Sequence, residues 1–135
     1  MKLYTDGASR GNPGEAGGGI VLVDGDVEEK SVYFGVRTNN EAEYLALIEG
    51  VKLALSRGAK ELEIFMDSLL VVRQLRGEYR VKNPRIRPLF EKARRLLGRL
   101  ESWTVEHIER ERNSRADRLA NRAINLKRHS SYAQI

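Results

Sequence analysis

The stretch of sequence that decides the fold runs from Leu3 to Gly14 and reads LYTDGASRGNPG. Its apolar and β-prone start ends on a single carboxylate, Asp6, and small turn-forming residues follow. We therefore predict a strand over residues 2–6 and a loop after it. Asp6 then lies at the carboxyl end of a strand, where open α/β sheets bind their ligands. The alternative is a purely local role, because Asp-Gly is a common turn pair.

Composition limits the kind of protein. A chain of 135 residues with 41% hydrophobic residues is expected to form one domain with one core. No apolar run approaches the roughly 20 residues that span a bilayer, and Met1 leads directly into the first strand without a signal-peptide pattern. Cysteine is absent, so disulfides and zinc–thiolate sites are excluded, and we expect a cytoplasmic protein. The net charge of +5 suits a polyanionic partner.

The rest of the chain alternates between strand and helix patterns. Strands are expected over residues 19–23, 32–36, 60–66 and 103–108, and helices after Thr38, Ser68, Pro84 and Ser114. The resulting order, βββαβααβα, predicts an α/β fold with a mixed five-stranded sheet flanked by helices. Residues 17–19 are all glycine, but no helix follows them, so a phosphate-binding loop is disfavoured. Residues 127–135 have no clear period and form either a loose tail or an added edge strand.

Four acids stand at the ends of these elements: Asp6, Glu43, Asp67 and Asp117. Each of the last three has a simpler explanation as an acid that caps a helix. Glu43 and Asp117 stand three residues after the possible cap residues Asn40 and Ser114, and Asp67 precedes a short helix. If the first and fourth strands are neighbours, however, Asp6 and Asp67 lie about 5 Å apart. Two such charges repel by about 3 kcal/mol at an effective dielectric constant of ~20. A pair of this kind implies a raised pKa or a bound cation, and hard cations such as Mg²⁺ prefer carboxylate oxygens.

Over residues 1–126 the sequence closely resembles type 1 ribonuclease H. The resemblance rests on four motifs taken in order, namely residues 4–14 (YTDGASRGNPG), 38–43 (TNNEAE), 66–68 (MDS) and 113–120 (NSRADRLA). It implies a ribonuclease H-like fold, a catalytic domain over residues 1–126 and a C-terminal tail over residues 127–135.

The resemblance also implies an activity and a site. Asp6, Glu43, Asp67 and Asp117 would bind two Mg²⁺ ions, with Mn²⁺ as a substitute. Water would hydrolyse the RNA strand of an RNA/DNA hybrid and leave 5′-phosphate and 3′-hydroxyl ends. The hybrid would be bound by residues on the rim of the site, namely Ser9, Asn12, Arg37, Thr38, Asn39 and Asn40.

The sequence departs from the family pattern at several positions. Many members carry a His in the flexible loop before the last acid, where it assists product release. Here Arg110 takes that place, as in archaeal-type members, and His107 is the weaker candidate. Leu69 replaces the usual Gln near the third acid, and the basic protrusion is missing. Four basic residues would partly replace its contribution to hybrid binding, namely Arg76, Arg80, Lys82 and Arg85. These changes extend the expected substrates to double-stranded RNA, which some archaeal-type relatives cut.

Two other functions remain open from the sequence. One is a non-catalytic module of the same fold that binds hybrid or double-stranded RNA. The presence of all four acids argues against it, because such a module can lose them without penalty. The other is an integrase-like nuclease, which the 38–43 motif and the lack of accessory domains disfavour. We expect a monomer that does not associate with membranes.

Overall fold

The computed structural model describes residues 1–127 and, for the backbone, residues 130–131. The strands are β1 (Lys2–Gly11), β2 (Gly14–Asp24), β3 (Asp26–Arg37), β4 (Glu61–Met66), β5 (Ser102–His107) and β6 (Ser130–Ser131). The helices are α1 (Asn39–Ser56), α2 (Leu69–Leu75), α3 (Arg87–Leu97) and α4 (Ser114–Leu126), with a 3₁₀ turn over Arg110–Asn113 before α4. The expected order βββαβααβα is confirmed.

The strands form one mixed sheet in the order β5-β4-β1-β2-β3-β6. β1, β4 and β5 run parallel, and β2 and β3 are antiparallel additions on the other side of β1. The predicted contact between the first and fourth strands is therefore present, with Tyr4 paired to Phe65. The two-residue β6 pairs with Lys30 and Ser31 at the edge of β3, so it adds a sixth strand to the five expected. Of the rest of the predicted tail, Lys127 follows the last residue of α4, and residues 128–129 and 132–135 lie outside the described residues.

The first two strands are longer than the sequence suggested. β1 continues past Asp6 to Gly11, and β2 begins at Gly14, so the two form a long hairpin in which Asp6 faces Gly19. The ladder gives the backbone groups of the small residues the hydrogen-bond partners that a loop would not provide. The parallel pairing of β1 with β4 ends at Tyr4, two residues before Asp6. Asp6 therefore still lies at the carboxyl end of the parallel part of the sheet.

Helices cover both faces of the sheet. Side chains alternate along β1 and β2, so that Leu3 and Ile20 join the large core under α1, α2 and α3. Their neighbours Tyr4 and Val21 point to the other face and pack with Ala116 and Leu119 of α4. No helix within residues 1–127 is both long and apolar enough to cross a bilayer.

Candidate active site

Helix α1 approaches β1 at a glycine. A Cβ atom at Gly7 would overlap the backbone of Ala42 and Glu43, so any larger residue would push the start of α1 away from the sheet. The close approach lets the backbone N–H of Gly7 donate a hydrogen bond of 2.8 Å to Oε1 of Glu43. Because Gly7 directly follows Asp6 in the chain, this bond holds the Glu43 carboxylate close to Asp6.

Helix α4 reaches the other face of the hairpin in the same way. A Cβ atom at Gly19 would overlap the carbonyl oxygen of Ala116, one residue before Asp117. Gly17 lies similarly close to Ala120. The run of glycines at 17–19 therefore serves helix packing, in agreement with the rejection of a phosphate-binding loop. It brings Asp117 to the strand pair that carries Asp6.

The four predicted acids meet at one place. One carboxylate oxygen from each of Asp6, Glu43 and Asp67 lies within 4.8 Å of the other two. Asp6 and Glu43 are buried, at 5% and 4% exposure, and Asp67 is half-buried. Asp117, also half-buried, lies close enough to Asp6 to raise the pKa of that carboxyl. Each acid comes from a different part of the fold: β1, α1, the end of β4, and α4.

Burial and crowding perturb the two innermost acids. The pKa of Asp6 is strongly raised, mainly because burial disfavours the charged carboxylate, and also by the charges of Glu43 and Asp67 and by its contact with Asp117. Burial likewise raises the pKa of Glu43, although the hydrogen bond from Gly7 lowers it. The charge of Asp67 raises the pKa of Glu43 further, and the charge of Arg110 lowers it. Without a cation, both carboxyls therefore bind a proton more readily than an ordinary carboxyl does.

Helix capping does not explain these acids. The capping box of α1 is formed by Thr38 and Glu41, so Glu43 is left for other contacts. At α4, the residue before the helix makes no side-chain capping bond, and neither does Asp117 serve as a cap. At α2 the cap is Ser68 and not Asp67, because the hydroxyl of Ser68 accepts a hydrogen bond from the N–H of Val71.

The arrangement fits a hard cation. The donor set consists of carboxylate oxygens alone, which Mg²⁺ and Mn²⁺ accept and softer metals disfavour. The burial of like charges within 4.8 Å costs free energy that a cation relieves when it displaces the protons. Asp6, Glu43 and Asp67 are the residues that would hold such an ion, and Asp117 would complete the site from the opposite side of Asp6.

The structure separates the two candidates for the loop role. Arg110 begins the 3₁₀ turn, is exposed, and lies close enough to influence the pKa of Glu43. His107 is the last residue of β5, where its backbone pairs with Met66, and it does not figure among the groups that shift Asp6 or Glu43. The loop role of Arg110 stays a prediction, supported by the effect of its charge on Glu43.

The predicted nucleic-acid-binding residues lie near the hairpin tip and the start of α1, where Ser9 and Thr38 are half-buried and the other four are exposed. The Oδ1 atom of Asn12 accepts a hydrogen bond of 3.1 Å from the backbone N–H of Asn39, which joins the two segments. The hydroxyl of Ser9 donates to the carbonyl of Gly11 at 2.6 Å. Thr38 is engaged in the helix cap. The two remaining residues, Arg37 and Asn40, are exposed.

The positions that depart from the family pattern are also exposed. Leu69, at 43% exposure, begins α2 two residues after Asp67. Among the four basic residues that would replace the protrusion, Arg76 donates its Nε–H to the carbonyl of Val105 at 3.0 Å, so part of its side chain is held against β5. Arg80, Lys82 and Arg85 are exposed.

Two asparagines at the site were missed by the sequence analysis. Asn113 is 2% exposed, and its Nδ2 atom donates to the carbonyl of Thr5 at 2.9 Å and to Oδ2 of Asp67 at 3.2 Å. Asn121 donates to the carbonyl and to Oδ1 of Asp117. Asn113 opens one of the four motifs and could have been singled out, whereas Asn121 is marked only by its spacing of four residues from Asp117 on a helix.

Comparison with known proteins identifies the class of fold. A family model described as reverse transcriptase-like matches residues 4–123. The crystal structure of RNase H1 from the halophilic archaeon Halobacterium salinarum matches with a TM-score of 0.89 and 44% sequence identity, over 92% of this chain and 96% of that one. The fold is therefore of the ribonuclease H-like class, as the sequence predicted.

Sequence similarity narrows this class to one family. Ribonuclease HI of H. salinarum is 45% identical over 127 residues, which is 92% of this chain. LC11-RNase H1, solved in complex with an RNA/DNA hybrid, is 42% identical with a TM-score of 0.88, over 93% of this chain and 97% of that one. The chain belongs to the type 1 ribonuclease H family. It spans 64% of the length of the halobacterial relative and 37% of the length of three mycobacterial relatives.

Proposed function

We propose that this protein is a metal-dependent endoribonuclease that hydrolyses the RNA strand of RNA/DNA hybrids and leaves 5′-phosphate and 3′-hydroxyl ends. The observation that carries the proposal is the meeting of Asp6, Glu43 and Asp67 within 4.8 Å, with Asp117 close to Asp6. A cluster of buried acids costs stability, so its assembly from four separate elements is best explained by cation binding.

The four acids would hold two Mg²⁺ ions, or Mn²⁺ in their place. When bound, the ions supply Lewis acidity toward the phosphodiester and lower the pKa of water, as in other two-metal sites. Asp6, Glu43 and Asp67 would supply the clustered carboxylates that hold the ions, and Asp117 would add a fourth carboxylate beside Asp6. Glu43 also lies on α1 directly after the rim residues, where it can approach the 2′-hydroxyl next to the scissile phosphate and so sense RNA.

The rim would position the hybrid by shape. Ser9, Asn12, Asn39 and Asn40 would meet the minor groove, and Arg37, Thr38 and Asn39 would hold a phosphate of the DNA strand. The bond between Asn12 and Asn39 supports this, because it fixes the hairpin tip relative to α1. The hybrid bound by LC11-RNase H1 supports the choice of substrate. Double-stranded RNA is a second proposed substrate, since Leu69 takes the place of a hydrogen-bonding Gln.

Arg110 is proposed to assist catalysis from the loop before α4. Its positive charge lowers the pKa of Glu43 and lies on the open side of the site, where it can attract a phosphate. We also propose that residues 1–126 form the catalytic domain, because both core clusters, as far as the described residues show them, are built from this range. A cytoplasmic location and a monomeric state remain predictions.

Asp6→Asn tests the proposed chemistry. The variant keeps the shape of Asp6 but removes the charge that two ions would share. Cleavage of a labelled hybrid is expected to fall by a factor of about 10³ or more, while binding in a gel-shift assay is retained. Turnover close to that of the unchanged protein would contradict the proposal.

A further inference from the structure

We propose that Asn113 and Asn121 are positioning residues that hold the two outer carboxylates, Asp67 and Asp117, in place for cation binding. The inference rests on the proposed function, because it concerns the same acids. It adds two residues to the site, neither of which would touch the ion or the substrate.

Asn113 ties three elements together at the site. It is the last residue before α4, and its single amide nitrogen donates both to the carbonyl of Thr5 in β1 and to Oδ2 of Asp67 after β4. Both partners can only accept, so the amide orientation is determined by chemistry. One oxygen of Asp67 is thereby held, and the other is left for an ion.

The rest of the Asn113 side chain argues against a purely structural role. Its Oδ1 atom is buried and has no hydrogen-bond partner among the described residues. An unsatisfied buried acceptor costs about 1–3 kcal/mol. The bond of Nδ2 to the carbonyl of Thr5 is a structural contact that offsets part of this cost, and the second bond of Nδ2, to Asp67, is the one that concerns the site.

Asn121 holds the opposite carboxylate from one turn further along α4. Its Nδ2 atom donates to the carbonyl of Asp117 at 3.0 Å and to Oδ1 of Asp117 at 3.4 Å. Its own Oδ1 accepts from Nη2 of Arg10 at 3.3 Å. Because Arg10 is in β1, four residues after Asp6, the orientation of Asp117 is linked to the strand that carries the central acid.

A common pattern emerges around Asp6. Each of the three surrounding acids receives a neutral N–H donor, Glu43 from Gly7, Asp67 from Asn113 and Asp117 from Asn121. A neutral donor orients a carboxylate without cancelling its charge, whereas Lys or Arg would compete with the cation. Such outer contacts typically affect metal affinity by about 10- to 100-fold.

The test is a titration of the full chain with Mg²⁺ and with Mn²⁺ by calorimetry, without nucleic acid. Asn121→Ala and Asn113→Ala are compared with Asn125→Ala, an exposed asparagine on the last turn of α4. Thermal denaturation in EDTA establishes that each variant is folded. Asn121→Gln, which retains an amide, is the conservative variant.

We expect Asn121→Ala and Asn113→Ala to weaken cation binding by about tenfold. Asn125→Ala should bind as the unchanged protein does, and Asn121→Gln should bind more tightly than Asn121→Ala. If Asn113→Ala does not fold, the half-buried Asn121 still decides the question. Cation binding by folded Asn121→Ala equal to that of the unchanged protein would overturn the inference and leave the proposed function intact. Absence of cation binding by the unchanged protein would overturn both.

Discussion

At the scale of single residues, the site consists of carboxyl groups whose burial beside one another costs free energy of folding. Asp6 and Glu43 are almost completely buried beside other acids, and both have raised pKa values because burial and neighbouring charges disfavour their ionised forms. A protein that needed these side chains only for packing would be more stable with neutral ones. Their presence is the residue-level signature of a cation site.

The raised pKa values predict a specific pH dependence of stability. Above its ordinary pKa of 3.8, an unfolded Asp6 releases the proton that the folded protein retains, and Glu43 behaves likewise above 4.5. The folded state therefore binds more protons, so the free energy of unfolding of the metal-free protein should fall as pH rises from about 5 to about 8. The slope is at most about 1.4 kcal/mol per pH unit for each retained proton.

Denaturation in EDTA at several pH values measures this slope, with Asp6→Asn as the comparison. The variant lacks one titrating group and relieves the crowding of Glu43, so its stability should vary less with pH. A metal-free protein whose stability rises over the same range would contradict the assignment of protonated acids.

The loop residue makes a second prediction at this scale. Arg110→Ala should slow hybrid cleavage by about tenfold, less than the roughly 10²–10³ that a buried donor supplies, because Arg110 is exposed. His107→Ala, at the end of β5, should have a smaller effect. Single-turnover rates of the two variants provide the comparison, and the opposite ranking would return the role to His107.

At the scale of elements, glycine positions decide where the helices meet the sheet. The glycines and the proline at residues 7 and 11–14 predict a loop, since these residues usually mark turns. In the structure Gly7 and Gly19 are strand residues whose missing Cβ atoms leave room for α1 and α4. A glycine needed for close packing and a glycine needed for a turn look alike in one sequence, so the length of the hairpin could not be predicted.

A matched pair of substitutions tests this role of glycine. Gly19→Ala would place a Cβ atom against the carbonyl of Ala116 and should destabilise the protein by about 1–3 kcal/mol. It should also slow cleavage, because α4 carries Asp117. Gly98→Ala, at a position with φ of −64° and only ordinary contacts, should be neutral or stabilising by up to about 1 kcal/mol. Equal stability of both variants in thermal denaturation would show that α4 can move away freely.

The same scale shows which parts of the site the sequence could predict. The four acids could be found because each stands at the end of a recognisable strand or at the start of a helix, and because their motifs occur in a fixed order. Their capping alternatives could be rejected only from coordinates, which place the cap of α1 at Thr38 and Glu41. Asn121 could not be predicted, because its contact depends on the side-chain direction of Asp117 and on Arg10 from a distant strand.

At the scale of the whole molecule, topology brings the acids together. β1 is central, with β4 parallel on one side and β2 antiparallel on the other. The end of β4 and the glycine run of β2 therefore lie on either side of Asp6. Helices on opposite faces then supply Glu43 and Asp117. The mixed sheet could be predicted from the order of elements, whereas the edge strand β6 stood only as one of two alternatives for the tail, because a two-residue strand has no sequence period.

The net charge of +5 belongs to this scale as well, since it favours approach of a polyanionic duplex without selecting one kind. Selection between hybrid and double-stranded RNA depends on the rim and on Leu69, and so requires a direct comparison of substrates.

The most direct measurement of the central claim is cleavage of end-labelled RNA/DNA hybrid by the full chain in Mg²⁺, in Mn²⁺ and in EDTA. Double-stranded and single-stranded RNA of the same sequence are compared in parallel, with Asp67→Asn as the inactive control. We predict cleavage of the RNA strand of the hybrid that requires a divalent cation, yields 5′-phosphate ends and is lost in the variant. Tight binding of the hybrid without cleavage in either metal would contradict the account and identify a binding module in which the four acids are structural.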